Sequence, residues 1–166
     1  MLVGCSVKIV DFEDRFASDF ERLNRAWLEG YGLLEPQDEK YLDAPRETII
    51  DPGGAILLAV DEDRVIGTCA IIPAGPRVVE LAKLAVVPEA QRRGIGRRLT
   101  VAAIDSAVAS GAERMILVSN NRLVAAVRLY ESLGFRHAPL PVDLVYATAN
   151  VYMELELGGP ILNPRT

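Results

Sequence analysis

The segment Val86-Val87-Pro88-Glu89-Ala90-Gln91-Arg92-Arg93-Gly94-Ile95-Gly96-Arg97-Arg98-Leu99 limits what this chain can fold into more than any other. An apolar run meets Pro88, whose missing N–H stops a strand ladder, and beyond two glycines an apolar pattern of helical period begins at Leu99. A strand therefore feeds a helix through a tight turn. A helix start presents unpaired backbone N–H groups at the positive end of the helix dipole. Gly94 and Gly96 remove side chains that would hold an anion away, while Arg92, Arg93, Arg97 and Arg98 bring charge to where a diphosphate would lie. A Walker loop would need Gly-Lys-Ser/Thr at its end, and a dinucleotide fingerprint would need a third glycine where Leu99 stands. Neither is present. The plain alternative is a structural turn carrying solvated arginines.

The rest of the composition sharpens that contrast. The chain has 166 residues, half of them hydrophobic, enough for one domain with a real core. Its net charge of −5 argues against a general nucleic-acid surface, so the arginine cluster is a local positive site in an acidic protein and suits a small polyanion. No apolar run approaches the roughly 20 residues of a membrane span, and the first residues lack a basic segment followed by a long apolar core. A cytoplasmic protein that binds neither membrane nor nucleic acid is the expectation. Cys5 and Cys69 are too few for a disulfide framework and have no partners at metal-ligand spacing, so they read as reduced thiols and no metal is expected.

Along the chain, Ser6–Val10 reads as a strand, and Phe12, Phe16, Phe20, Leu23 and Trp27 form one apolar helix face that Gly30 and Gly32 end. A second helix begins at Glu35-Pro36 and carries Tyr41, Leu42 and Ile49-Ile50 to a turn at Asp51–Gly54. Ala55–Val60 and Arg64–Ile72 form a hairpin around Asp61-Glu62-Asp63. After a turn at Pro73–Pro76, Val78–Val87 is a third strand of the meander. The helix after Gly96 buries Leu99, Ala102, Ala103 and Ala107 and ends at Gly111. Arg114–Ser119 is a strand, Arg122–Leu133 a helix capped by Gly134, and strands follow at Phe135 and at Asn150–Leu157. This order predicts a mixed α/β sheet with helices on both faces, in one domain over residues 1–157, with a flexible tail over 158–166.

Gln91-x-x-Gly94-x-Gly96 after a strand and a proline, followed downstream by Leu129-Tyr130-Glu131-Ser132-Leu133-Gly134-Phe135, closely resembles the GNAT superfamily of N-acetyltransferases, from about Ala55 to Phe135. The resemblance implies a mixed, mostly antiparallel sheet of about seven strands. It also implies acetyl-CoA as donor, a primary amine on a small molecule or a protein as acceptor, and direct attack in a ternary complex. The diphosphate is then expected on the backbone N–H groups of Gln91, Arg92, Arg93, Gly94, Ile95, Gly96 and Arg97, reinforced by the arginines. The pantetheine arm is expected along Leu84, Ala85 and Val86, on a strand splayed from its neighbour so that main-chain groups stay free to pair with it. The Val86 N–H could polarise the thioester carbonyl. Those three side chains are core residues under either reading.

A CoA thiol has a pKa near the ~8.5 of cysteine, so a phenol can donate its proton, and the resemblance gives that role to Tyr130. The other reading of Tyr130 is a packing residue at the core edge. An amine of pKa ~10.4 must lose a proton before attack, and Glu80 is the candidate base, with a solvated residue or an ion pair to Lys83 as the alternative. His137, the only histidine, reads as a surface residue. Asn120 and Asn121 follow the fifth strand, where the resemblance implies an asparagine that contacts the pantetheine arm; Asn121 is the candidate, although relatives commonly hold it at the place of Leu123, and an N-cap is equally consistent. The first two helices carry Glu29, Tyr31, Glu35, Asp38, Glu39, Tyr41 and Asp43, an acidic region suited to a cationic amine or a solvated helix surface. Pro139-Leu140-Pro141 and Tyr146 are expected to form another wall. A CoA-binding sensor without catalysis, or a nucleotide-binding protein of another fold, would share the turn. The last strand of such a sheet can also pair between two copies as a homodimer.

Overall fold

The computed structural model describes residues 6–158, so Cys5 and all of the expected tail beyond Gly158 lie outside the described residues. Seven strands form one sheet: β1 (Val7–Asp11), β2 (Ala55–Asp61), β3 (Arg64–Gly75), β4 (Val78–Val86), β5 (Arg114–Ser119), β6 (Arg136–His137) and β7 (Val151–Glu156). Their order is β1-β2-β3-β4-β5-β7-β6, and every neighbouring pair is antiparallel except β4–β5. Four helices accompany them: α1 (Ala17–Tyr31), α2 (Pro36–Asp43), α3 (Ile95–Ala109) and α4 (Val124–Ser132). The mixed, mostly antiparallel α/β sheet expected from the sequence is therefore present.

Two adjacent residues of β3 show how the layers form, because neighbouring side chains on a strand point to opposite faces. A Cβ on Gly67 would lie 2.9 Å from Leu99 and 3.2 Å from Ile95, so α3 presses so closely onto that face that any side chain there would have to displace Leu99. The Thr68 hydroxyl instead meets Asn24 of α1, which covers the other face. Phe20 and Leu23 of α1, Leu99 and Ala103 of α3, and Leu58, Met115 and Met153 of the sheet fill the cores between these layers. Among the described residues no helix is long and apolar enough to cross a membrane.

Several boundaries differ from the sequence reading. Phe12 lies before the first helix, and α1 starts at Ala17 after a single turn of 3-10 helix, ending at Gly32 in the left-handed conformation, φ +65°. The second helix stops at Asp43 because a residue before proline is forced out of helical geometry. Ala44 precedes Pro45, and Ile49 and Ile50 belong to a separate, wider turn over Arg46–Ile50. β3 runs through Pro73 to Gly75, leaving only Pro76-Arg77 for the turn. α4 starts at Val124, since the Asn120 side chain accepts the Arg122 N–H at 2.9 Å and closes a turn ahead of the helix.

Candidate active site

The central strand β4 carries the two irregularities that make a site. Thr68 pairs with Ala85 and Ala70 with Ala82, so Lys83 and Leu84 together oppose Cys69 alone, a bulge in which Lys83 takes φ +54°. The Thr68 hydroxyl donates to the displaced Lys83 carbonyl at 2.9 Å and accepts Asn24 Nδ2 at 2.9 Å. The same amide donates to the Phe20 carbonyl at 2.9 Å. Asn24 and Thr68 are fully buried, so this chain of bonds holds the bulge from inside the α1 face.

The second irregularity is on the other edge of β4. Its parallel ladder with β5 extends only over Val78–Glu80, whereas β5 pairs with β7 along its whole length. Beyond Glu80 the two central strands diverge, and a cleft opens between Leu81–Val86 and the end of β5. The Val87 N–H bonds the Ile66 carbonyl across β3 at 2.9 Å. Because peptide groups alternate sides along a strand, the Val86 N–H and carbonyl face the cleft. The carbonyl accepts Gln91 Nε2 at 3.1 Å, so the Gln91 side chain serves the strand end.

The glycine turn stands at the mouth of this cleft. Arg92 and Gly94 are both left-handed, φ +64° and +75°, and α3 starts at Ile95 with no side-chain cap and no acidic residue in its first turn. The first intrahelical bond of the turn is the Arg98 N–H to Gly94 carbonyl at 3.0 Å, so the N–H groups of Gly94, Ile95, Gly96 and Arg97 have no intrahelical acceptor. A Cβ on Gly96 would meet only Leu129 at 3.7 Å and Val86 at 4.0 Å, ordinary contacts, so the fold itself does not demand glycine there. A free anion-binding terminus with space above it fits a diphosphate. The arginines differ from one another. Arg97 donates to the Ser132 hydroxyl at 3.0 Å, Arg93 lies 3.8 Å from Asp61, and Arg98 reaches back to the Val7 carbonyl at 2.9 Å on β1.

At the inner end of the cleft is a cavity bounded by α1, the start of α2, β4, β5 and the segment before β7. Tyr130 and Glu80 both line it, as do Leu84 and Asn120. Tyr130 is buried against Phe135, ring centroids 5.8 Å apart, and its hydroxyl has no hydrogen bond to another described residue. Burial pushes its pKa well above the ordinary phenol range, so it stays protonated at neutral pH. Glu80 also has no hydrogen bond or ion pair among the described residues. Burial raises its carboxyl, Lys83 pulls it back and Asp38 pushes it up further, leaving it above the ordinary carboxylate range.

The wall opposite is built from residues far apart in sequence. Lys83 and Asp38 form an ion pair with side chains only 6% and 4% exposed, and the Lys83 ammonium lies 5.5 Å from the ring centres of both Tyr41 and Tyr146. Glu35 accepts the Ala147 N–H at 2.8 Å, the Thr148 N–H at 3.2 Å and the Thr148 hydroxyl at 2.6 Å. Tyr146 thus lies on the wall as the sequence suggested, but the Lys83–Asp38 pair was not foreseen. Asn121 is exposed, and its N–H donates to Asn150 at 2.8 Å. Asn120 is the asparagine at the cavity, tied to the Thr148 carbonyl at 2.7 Å. His137 is exposed beside Glu131 at 3.3 Å. Cys69 is a buried free thiol pushed up to about 12 by burial.

Comparison with known proteins assigns a family to this geometry. The profile of the Acetyltransferase (GNAT) family matches residues 17–135. An uncharacterized N-acetyltransferase of Schizosaccharomyces pombe is 31% identical over 150 residues, 84% of this chain and 87% of that protein. A GNAT-family acetyltransferase of Staphylococcus aureus superposes with a TM-score of 0.83 at 17% identity, covering 91% of this chain and 99% of the other. An N-acetyltransferase of Thermoplasma acidophilum in complex with coenzyme A superposes with a TM-score of 0.69 at 18% identity, again over 91% and 99%.

Proposed function

This chain belongs to the Acetyltransferase (GNAT) family, and from that premise we propose that it transfers an acetyl group from acetyl-CoA to a primary amine by direct attack in a ternary complex. The observation that carries the reading is a continuous path. An uncapped helix start at Gly94–Arg97 leads along the unpaired edge of β4 to a cavity that holds a protonated phenol and an unpartnered carboxylate.

Acetyl-CoA supplies an activated acyl group on a thiol leaving group. The N–H groups at the start of α3 hold its diphosphate, with Arg92, Arg93 and Arg97 adding charge. Leu84, Ala85 and Val86 offer main-chain partners to the arm, as an added strand would find them. The Val86 N–H points into the cleft and is placed to bond the oxygen on which charge develops. Glu80 takes a proton from the acceptor ammonium, its raised pKa bringing a carboxylate closer to the basicity that step needs. Tyr130, protonated at neutral pH, gives a proton to the departing sulfur as the C–S bond breaks, and the proton still to leave the new amide nitrogen restores the phenol. The contact with the arm is assigned to Asn120, which lines the cavity, rather than to Asn121, which does not.

Incubation with acetyl-CoA and a panel of primary amines tests it. Free thiol should appear only when an amine is present, in step with N-acetylated product. Tight acetyl-CoA binding with no amine-dependent thiol release would instead mark a CoA-binding sensor.

A further inference from the structure

The cavity contains an ammonium that no acceptor can use as it stands. Among the described residues lining the cavity Lys83 is the one cation, and it is committed to Asp38 inside a pocket where both side chains are almost wholly buried. Tyr41 and Tyr146 flank it on two sides, each ring centre 5.5 Å away. Of the carboxylates on this wall, Glu35 accepts three hydrogen bonds, and Asp38 is held by Lys83 and by the Glu35 N–H at 2.9 Å. Glu80 alone lacks a hydrogen-bond or ion-pair partner. The local balance is therefore negative, with one carboxylate free to meet an ammonium and no cation free to meet an acid. The sequence pointed to an acidic acceptor region through Glu29, Glu39 and Asp43 as well, but these are exposed and do not line the cavity.

We propose that the buried Asp38–Lys83 pair is a specificity element: by occupying the cavity's ammonium, it makes the site select primary amines that carry no acid group beside the nitrogen and reject free amino acids. A carboxylate beside the acceptor nitrogen would face Glu80, Asp38 and Glu35 without a counter-ion. Like-charge juxtaposition in a desolvated site is an effective means of rejection. The inference takes from the acetyl-transfer reading only that the acceptor occupies this cavity.

Matched series test it: phenethylamine, phenylalaninamide and phenylalanine, and their aliphatic counterparts butylamine, norvalinamide and norvaline. Dissociation constants are measured with desulpho-CoA present, alongside kcat/KM from thiol release. The amine and the amide should outbind the free acid by about a hundredfold. Asp38→Asn keeps an oxygen for the Glu35 N–H but releases Lys83, so the acid should recover to within about tenfold of its amide, chiefly through KM. The double variant Asp38→Asn/Lys83→Met removes the freed ammonium and should restore the rejection, which separates a released charge from a loosened pocket. Equal binding of acid and amide by the unaltered protein would overturn the proposal. So would an unchanged ratio in folded Asp38→Asn, or failure of every series to bind. Thiol release stands apart: binding preference without turnover would retain the specificity and refute the catalysis.

Discussion

Two helices begin at the two ends of the same cleft, and they treat their N-termini in opposite ways. Both starts present unpaired N–H groups and the positive end of a dipole. At α2 the chain closes its own terminus: Pro36 brings no N–H to the first turn, the Asp38 carboxylate accepts the Glu35 N–H at 2.9 Å, and the Asp38 N–H bonds the Glu35 carbonyl at 2.9 Å. At α3 it leaves the terminus open, with no capping side chain, no acid in the first turn and two left-handed residues shaping the approach. An uncapped start costs stability unless something else satisfies it. A chain that closes α2 in this way yet leaves α3 bare beside arginines has, on the acetyl-transfer reading, an end suited to the donor's diphosphate. Neither helix polarity nor a bare start is by itself a sign of a ligand, since α4 also begins without a side-chain cap or an acid in its first turn; what sets α3 apart is the arginine-flanked glycine turn at the end of β4.

The most forceful way to break this contrast is to make α3 resemble α2. Gly96→Glu brings a carboxylate into the first turn, where a Cβ meets only ordinary contacts. Affinity for acetyl-CoA, read by titration calorimetry, should fall by about 1,000-fold through loss of two or more charge-assisted bonds. Thermal stability without ligand should hold or rise, because a negative charge there complements the dipole by about 0.3–1 kcal/mol. A variant that binds as tightly as before would place the diphosphate elsewhere.

The next effect lies between the two termini. Tyr130→Phe should lower kcat by about a hundredfold while acetyl-CoA affinity and melting temperature stay close to those of the unaltered protein. Unchanged kcat under conditions where chemistry limits the rate would return Tyr130 to a packing role. Glu80 gives the companion test through pH. A base works only when deprotonated, so kcat/KM should fall as pH drops through the raised Glu80 pKa, and Glu80→Gln should erase that acid limb. A profile of unaltered shape would remove Glu80 from the proton path.

The same contrast explains what a reader of the sequence could see. The open terminus is local: strand, Pro88, glycines and helix stand consecutively, so both the turn and the neighbouring strand order were legible. The wall around the closed one is assembled over distance. Asp38 meets Lys83 across 45 residues and Glu35 meets Thr148 across 113, and no periodicity records either. The bulge at Lys83 was equally hidden, because Val78–Val87 reads as an unbroken apolar strand while its left-handed residue is imposed by Thr68 and Asn24 from other elements. The overlong second helix came from weighing the apolar Ile49-Ile50 above the backbone effect of Pro45. The choice of Asn121 over Asn120 turned on a single residue, where only the tie from Asn120 to Thr148 decides which side chain reaches the cavity.

The smallest effect tests the closed terminus itself. Burial acts to raise the Glu35 carboxyl, but bonds from the Thr148 hydroxyl and the Ala147 and Thr148 N–H groups, with the charge of Lys83, hold it below the ordinary carboxylate range. A carboxyl whose folded pKa is depressed contributes stability that is present above its unfolded value of about 4.3 and is lost as pH falls through the lower, folded value. Glu35→Gln should therefore cost about 1 kcal/mol at pH 7, a modest sum because the group is partly exposed. The deficit, read from urea unfolding midpoints, should shrink as the pH is taken below 4.3 and the unaltered protein loses the same charge. Acetyl-CoA binding at α3 should not change at all. If it weakened along with stability, the two helix starts would be coupled through β4 and the division between an open donor end and a closed acceptor end would fail.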